Sequence, residues 1–396
     1  MLFTMKRIIL ILTTLLAVTV FSADLSAMSP KKEQRAEFIF LFIGDGMGHA
    51  QAAAAESYLS YKAGKLGGEM LTFTGFPFYG MSATHSADRQ VTDSAAGGTA
   101  IACGEKTNNG MIGMNKDSVA IKSMAYVLHE EGYNVGILSS VPVNHATPAS
   151  FYAHSINRKN YYDMSKEIAS SGFEFFAASG FLDFNGKNSD LQPIDEYLEG
   201  QGCEVSFGLK EFAKEAENAE KIVLCQPSAN GMSAGNYTVG EEKEENMSLR
   251  NMLEAGISFL GDKKPFFIMC EGGEIDWAAH KNRLMPMIES IMAFDDAIKA
   301  AYEFYLKHPD RTLIVVTADH ETGGVTIGCE GKKTIDWEKI EKDYKNGDNK
   351  AGMDQIGWTT GSHTGAPVPV YAIGCGAEKF IGRMDNTDIK GKILGL

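Results

Sequence analysis

Asp276 and His280 stand four residues apart in Glu271-Gly272-Gly273-Glu274-Ile275-Asp276-Trp277-Ala278-Ala279-His280. On a helix that spacing turns a carboxylate and an imidazole to one face, where both can grip one cation. An ordinary exposed Asp and His pair has the same spacing, so the pair alone decides nothing. Asp45, Glu271 and the Asp319-His320 pair, however, each close or follow an apolar run. One such carboxylate more often caps a helix or ends a turn. Several at one sheet edge repel each other and need cations between them. His363, in the glycine-bracketed Gly361-Ser362-His363-Thr364-Gly365, is a further ligand candidate. Mixed Asp and His donors without thiolate favour zinc in catalytic use.

Ser94 lies in Thr92-Asp93-Ser94-Ala95-Ala96-Gly97-Gly98, where small residues follow it as at the start of a closely packed helix. An isolated serine there is more often an N-cap. Facing metal ions, the same hydroxyl becomes a nucleophile, because cations stabilise its alkoxide and the helix amino end favours phosphoryl oxygens. Arg158 could clamp two nonbridging phosphate oxygens through its planar fork, with Asp93 orienting it; the plain alternative is a surface arginine.

Four apolar runs, 37–43, 135–138, 266–270 and 313–316, are spaced by helical patterns such as 118–131 and 286–306. This alternation predicts an α/β fold: a mostly parallel central sheet with helices on both faces. Ligands of such sheets gather at the carboxyl ends of the strands. Removing residues 1–27 leaves about 370 residues, above the usual single core of about 250–300. We therefore expect one catalytic domain over 28–396 with peripheral insertions near 186–250 and 325–360, and no internal repeat.

Residues 1–27 carry Lys6 and Arg7, an apolar stretch and small residues up to Ala27, the pattern of a secretory signal peptide. The expectation is an exported protein, periplasmic or secreted, with no membrane association after cleavage. A net charge of −14 disfavours nucleic acid and anionic membranes as partners. The six cysteines form no CxxC; most read as buried thiols, and the spacing leaves a Cys203–Cys225 bridge open.

Six blocks together resemble the alkaline phosphatase family: Phe42 to Gly48, Thr92 to Ala95, His145 to Ala149, Glu271 to His280, Thr317 to Gly324 and His363 to Gly365. The resemblance runs in order from about residue 36 to the carboxyl terminus. It implies that Asp276, His280 and His363 hold a first zinc, and that Asp45, Asp319 and His320 hold a second beside Ser94. It implies a third ion, magnesium with zinc as the alternative, on Asp45, Thr147 and Glu271, with Arg158 gripping phosphate and Asp93 behind it. The implied reaction is hydrolysis of phosphate monoesters through a phosphoserine on Ser94, in a homodimer.

Two positions depart from the enterobacterial pattern: His145 replaces an aspartate near the third ion, and Trp277 replaces a lysine. His145 should weaken magnesium relative to zinc. Trp277 is equally a packing residue or a substrate contact. The competing enzymes with this framework are phosphodiesterases, sulfatases and phosphoglycerate mutases, against which Ser94 and Arg158 count. A binding protein without turnover would lack a nucleophile or a ligand, and here every position is filled.

Overall fold

Alternate side chains of a strand leave on opposite faces. In β1 (Phe38–Gly44), Phe38, Phe40 and Phe42 therefore enter one core while Ile39, Leu41 and Ile43 enter another. A strand apolar on both sides needs a layer above and below it, the situation of a central parallel strand. The structure, a computed structural model, describes residues 35–229 and 246–396. The expected leader and the acidic run 240–245 lie outside the described residues. Residues Ala36–Leu396 form one compact unit.

The remaining strands are β2 (Phe78–Ala83), β3 (Asn134–Ser139), β4 (Phe175–Ala178), β5 (Glu204–Phe207), β6 (Ile222–Cys225), β7 (Phe266–Gly272), β8 (Thr312–Thr317), β9 (Glu321–Thr322), β10 (Val325–Ile327), β11 (Ile356–Trp358), β12 (His363–Thr364), β13 (Val368–Gly374) and β14 (Gly382–Asp385). Ten of them build one sheet in the order β14-β2-β13-β8-β1-β7-β3-β4-β6-β5. Within it β13 alone runs against its neighbours. All four apolar runs singled out from the sequence are strands, and they lie side by side as β8-β1-β7-β3. The core on the Phe38 side is completed by helices His49–Lys62, Leu249–Leu260 and Leu284–Tyr305. The other core takes helices Ser94–Cys103, Met124–Glu130, Tyr161–Ser171 and Asp388–Leu394.

Register brings the ligand-bearing ends level. Ile43 of β1 pairs with Glu271 of β7 and with Thr317 of β8, and Ser139 of β3 pairs with Glu271. Asp45, Asp319-His320 and the His145 loop thus leave the sheet at one edge. Because β13 is antiparallel, its beginning lies at that same edge, and the short β9–β12 pair sets His363 opposite Thr322.

Two helix boundaries differ from the sequence expectation. The helix expected over 118–131 begins at Met124, because Ser123 caps it by accepting the Tyr126 N–H, while Met114 and Ala120 bridge in a preceding turn. The helix expected from 286 begins at Leu284, with Pro286 in the first turn, where a missing N–H costs no hydrogen bond. Cys203 and Cys225 are free thiols. Cys203 precedes β5, whose Glu204 pairs with Ile222, whereas Cys225 pairs with Phe207 at the far end of the same parallel ladder. That offset separates them by about 13 Å at the rise of a strand, beyond disulfide reach.

Helix Ser94–Cys103 is buried along its whole length, and its glycines let the chain approach closely. A Cβ on Gly97 would meet the Asp319 carbonyl oxygen at 2.9 Å, a backbone atom that no side-chain rotation can move. Gly97→Ala should therefore push this helix from the Asp319-His320 loop. We expect a loss of about 1–3 kcal/mol in chemical denaturation, with turnover falling in the folded fraction as well. Unchanged stability and activity would contradict this packing.

Candidate active site

Each ligand candidate stands where a strand ends. Asp45 follows β1, Glu271 lies in β7, Asp319 and His320 follow β8, and Asp276 and His280 occupy the helix Glu274–His280 entered through Gly273. Asp45, Thr147, Glu271, Asp319 and His320 are completely buried. His280 is the most open, with its side chain 36% exposed. Three groups of ligand atoms fall within 4.8 Å of one another: Asp276 with His320 and His363, Asp45 with Asp319 and His320, and Asp45 with His145 and Glu271. His280 joins the first group, its Nε2 3.3 Å from Asp276 Oδ2 and 3.1 Å from His363 Nε2.

Outer hydrogen bonds determine which way the imidazoles face. Thr322 Oγ1 donates its one proton to Asp276 Oδ1 at 2.6 Å, so it accepts from His320 Nδ1 at 3.2 Å. His363 Nδ1 donates to Thr92 O, and His280 Nδ1 donates to Gly361 O, each at 2.8 Å. With Nδ1 protonated, each neutral ring turns a bare Nε2 inward. The His320 Nε2 then faces Asp45 Oδ1 and Asp319 Oδ2 at 3.3 Å, and the His363 Nε2 faces the His280 Nε2 at 3.1 Å, where either a proton on His280 or a cation must separate them. Nitrogen and carboxylate lone pairs so close together repel unless a cation lies among them.

The buried oxygens say the same. Both Asp45 oxygens, Asp319 Oδ2, Glu271 Oε1, the Thr147 hydroxyl and His145 Nδ1 have no hydrogen-bond partner. Burial, then repulsion from Asp319, raises the Asp45 carboxyl well above its ordinary range. Burial followed by Asp276 does the same to Asp319, and burial pushes Glu271 up to about 7 against the lowering by Ser139. Asp276 behaves oppositely: burial opposes its charge, yet the imidazoles of His280, His320 and His363 hold it below the ordinary range. Burial keeps His320 and His363 neutral and lowers His145 to about 3, while Asp276 pulls His280 up to about 8. The residues therefore fit divalent cations, and the mixed nitrogen and oxygen donors suit zinc.

Ser94 Oγ lies 3.1 Å from His320 Nε2, at the amino end of its own helix. The N-cap role weighed for Ser94 belongs to Asp93, whose carboxylate accepts from Ala96 N at 3.0 Å. Asp93 also binds Arg158 Nη1 at 2.9 Å. Burial works against the Arg158 charge, and Asp93 outweighs it. The Trp277 ring meets the His145 ring edge-on at 5.8 Å. All residues singled out from the sequence thus converge. Three others were missed: Thr322, which links Asp276 to His320; Ser139, whose hydroxyl binds Glu271; and Asn109, beside Asp93. Thr322 stands in a recognised motif block without a role, while nothing in the polar loop around Asn109 distinguishes it from any turn.

A family model described as alkaline phosphatase matches residues 36–177 and 210–351. Alkaline phosphatase 4 of Bacillus subtilis is 32% identical over 426 aligned residues, covering 91% of this chain and 89% of that protein. The solved alkaline phosphatase of the Antarctic bacterium TAB5 is 32% identical with a TM-score of 0.76, over 91% of this chain and 98% of that one. A variant of that enzyme with one histidine replaced by glutamate, solved with magnesium in its M3 site, matches at the same identity and TM-score over 92% and 98%.

These charges predict how the metal-free chain responds to pH. Asp45, Asp319, Glu271 and His280 hold protons more tightly when folded. A folded state that binds more protons than the unfolded one loses stability as pH rises. Asp276 is ionised in both states above about pH 5, and the depressed His145, His320 and His363 cease to contribute above the ordinary value of 6.5. Between pH 6.5 and about 8, the melting temperature in excess chelator should therefore fall. With zinc added it should be higher and rise with pH, since ligands must shed protons to bind metal. A metal-free melting temperature that climbs across this window would refute the assignment.

Proposed function

The chain belongs to the alkaline phosphatase family, and on that premise we propose that Ser94 is the nucleophile of a metal-dependent phosphomonoesterase that forms a phosphoserine intermediate. The observation that carries this reading is the position of Ser94 Oγ, at a helix amino end and 3.1 Å from the same His320 Nε2 that faces the Asp45 and Asp319 carboxylates, with the preceding Asp93 holding Arg158. Asp276, His280 and His363 would hold one zinc ion, and Asp45, Asp319 and His320 a second. Asp45, Glu271 and Thr147 would hold a third ion, with His145 beside it. There the extra imidazole favours zinc over magnesium, because magnesium prefers oxygen donors.

When bound, the ions supply positive charge that stabilises the ionised serine, the departing ester oxygen and an ionised water. The rest is done by the chain. Arg158 offers two N–H groups to nonbridging oxygens, and the amino end of helix Ser94–Cys103 faces the dianionic phosphoryl group of a monoester. Ser94 Oγ attacks phosphorus in line, the bond to the ester oxygen breaks, and the alcohol leaves. Water then attacks the phosphoserine from the vacated side, releasing inorganic phosphate and restoring Ser94. Asp93 keeps the guanidinium in place through both displacements.

The leader over 1–27 supports export to the periplasm or medium, and the family likeness supports a homodimer. Among the described residues no helix is long and apolar enough to cross a membrane. The segments near 186–250 and 325–360, expected as insertions, would be peripheral parts of one catalytic domain, the first supplying β6 and β5 at one end of the sheet.

Ser94→Ala should reduce turnover of p-nitrophenyl phosphate by roughly a thousandfold or more, and chelation should do so reversibly, with zinc plus magnesium restoring the wild type alone. Activity surviving either treatment would sink the proposal, as would faster turnover of bis-p-nitrophenyl phosphate than of the monoester. His145→Asp should shift third-ion occupancy from zinc towards magnesium, measured by elemental analysis after dialysis against both metals. An unaltered ratio would remove His145 from that site.

A further inference from the structure

The extended segment Val91-Thr92-Asp93 serves three parts of the site at once. Thr92 O accepts the His363 Nδ1 proton, the Asp93 carboxylate holds Arg158, and the next residue is Ser94. Across this segment lies the side chain of Asn109. Its Nδ2 donates to Val91 O at 3.1 Å, and its Oδ1 accepts from Asp93 N at 3.3 Å. One carboxamide, able to give and take a hydrogen bond together, thus fastens both ends of a three-residue stretch as a neighbouring strand would. The loop carrying it is fixed in turn. Asn109 N donates to Asp88 Oδ1 at 2.9 Å, Gly110 N donates to both Asp93 oxygens at 3.1 Å, and Gly110 O accepts from Arg158 N at 2.8 Å.

We propose that Asn109 is a positioning residue for the phosphomonoesterase reaction, its carboxamide setting segment 91–93 so that Ser94 and the Arg158 guanidinium meet one phosphoryl group beside the ion that His363 would hold. This rests on the reading of Ser94 as nucleophile and Arg158 as phosphate clamp. Asn109 itself touches no reacting atom. Aspartate cannot replace it, since it has no proton for Val91 O and sets a second acceptor against that carbonyl. Alanine removes both bonds.

The test compares zinc-loaded wild type, Asn109→Ala and Asn109→Asp in kcat and KM for p-nitrophenyl phosphate, inhibition by inorganic phosphate, and the rate of zinc loss to a chelator. Asn108→Ala controls for the loop, because that side chain donates only to Lys116 O. Both Asn109 variants should raise KM and the phosphate inhibition constant by roughly 10–100-fold and release zinc faster, while Asn108→Ala matches wild type. If Asn109→Ala does not melt cooperatively, the near-isosteric Asn109→Asp decides. A folded Asn109 variant with wild-type phosphate inhibition and zinc release overturns the proposal, and so does an equal defect in Asn108→Ala. Turnover persisting in Ser94→Ala in the same assay would instead overturn the nucleophile reading.

Discussion

The carboxylates of Asp45, Glu271 and Asp319 are buried together at one edge of the sheet, and most of their oxygens have no hydrogen-bond partner. Keeping even one such charge out of water costs several kcal/mol after relaxation. The sheet nonetheless forces the three together, because β1, β7 and β8 are paired in a register that ends them level. Only protons or cations can relieve that crowding. Much else in the molecule follows from the choice of cations: neutral inward-facing imidazoles, a serine placed beside His320, and an antiparallel β13 that delivers His363 to the same edge.

The ligands are held in direction as well as in position. Three outer acceptors, Thr322 Oγ1, Thr92 O and Gly361 O, take the Nδ1 protons of His320, His363 and His280. Two of them are backbone carbonyls, so side-chain replacement cannot remove them. The two zinc positions of the proposed reading also differ in access. His320 is buried, whereas His280 is open to solvent, so the leaving alcohol would depart towards water with little of the chain around it. On that reading the phosphoryl group would be gripped and the alcohol left largely unread, which suits broad specificity.

The strand pattern was legible because strands buried on both faces must be apolar along their whole length, as β1 is. Asp45, Glu271 and the Asp319-His320 pair stood out as candidate ligands because they close or follow such strands, whereas His363 precedes β13 and stood out by its residue type in a glycine-bracketed loop. Helix starts were less legible: Ser123 and Asp93 cap by side-chain oxygens that accept a backbone N–H three residues on, a contact that no periodicity displays. Ser94 illustrates the limit. Its residue type and small neighbours allowed cap or nucleophile, and the backbone gives the cap to Asp93. Thr322, Ser139 and Asn109 escaped notice because their importance lies in long-range partners, and a hydroxyl or amide in a loop looks alike whether it binds water or a buried ligand.

The turn at Asn109 has a bearing on how the protein ages. An asparagine followed by glycine is the sequence step at which a side-chain amide is most readily lost, because the unhindered next nitrogen can attack its carbonyl carbon and expel ammonia, closing a cyclic imide that water then opens to aspartate or its isomer. In the folded chain the Gly110 nitrogen is committed to the Asp93 carboxylate, so the attacking atom is withheld. Opening of the loop releases it, which couples this spontaneous chemical damage to local unfolding. The hydrogen bonds that order the site thus also withhold the nitrogen that would damage it.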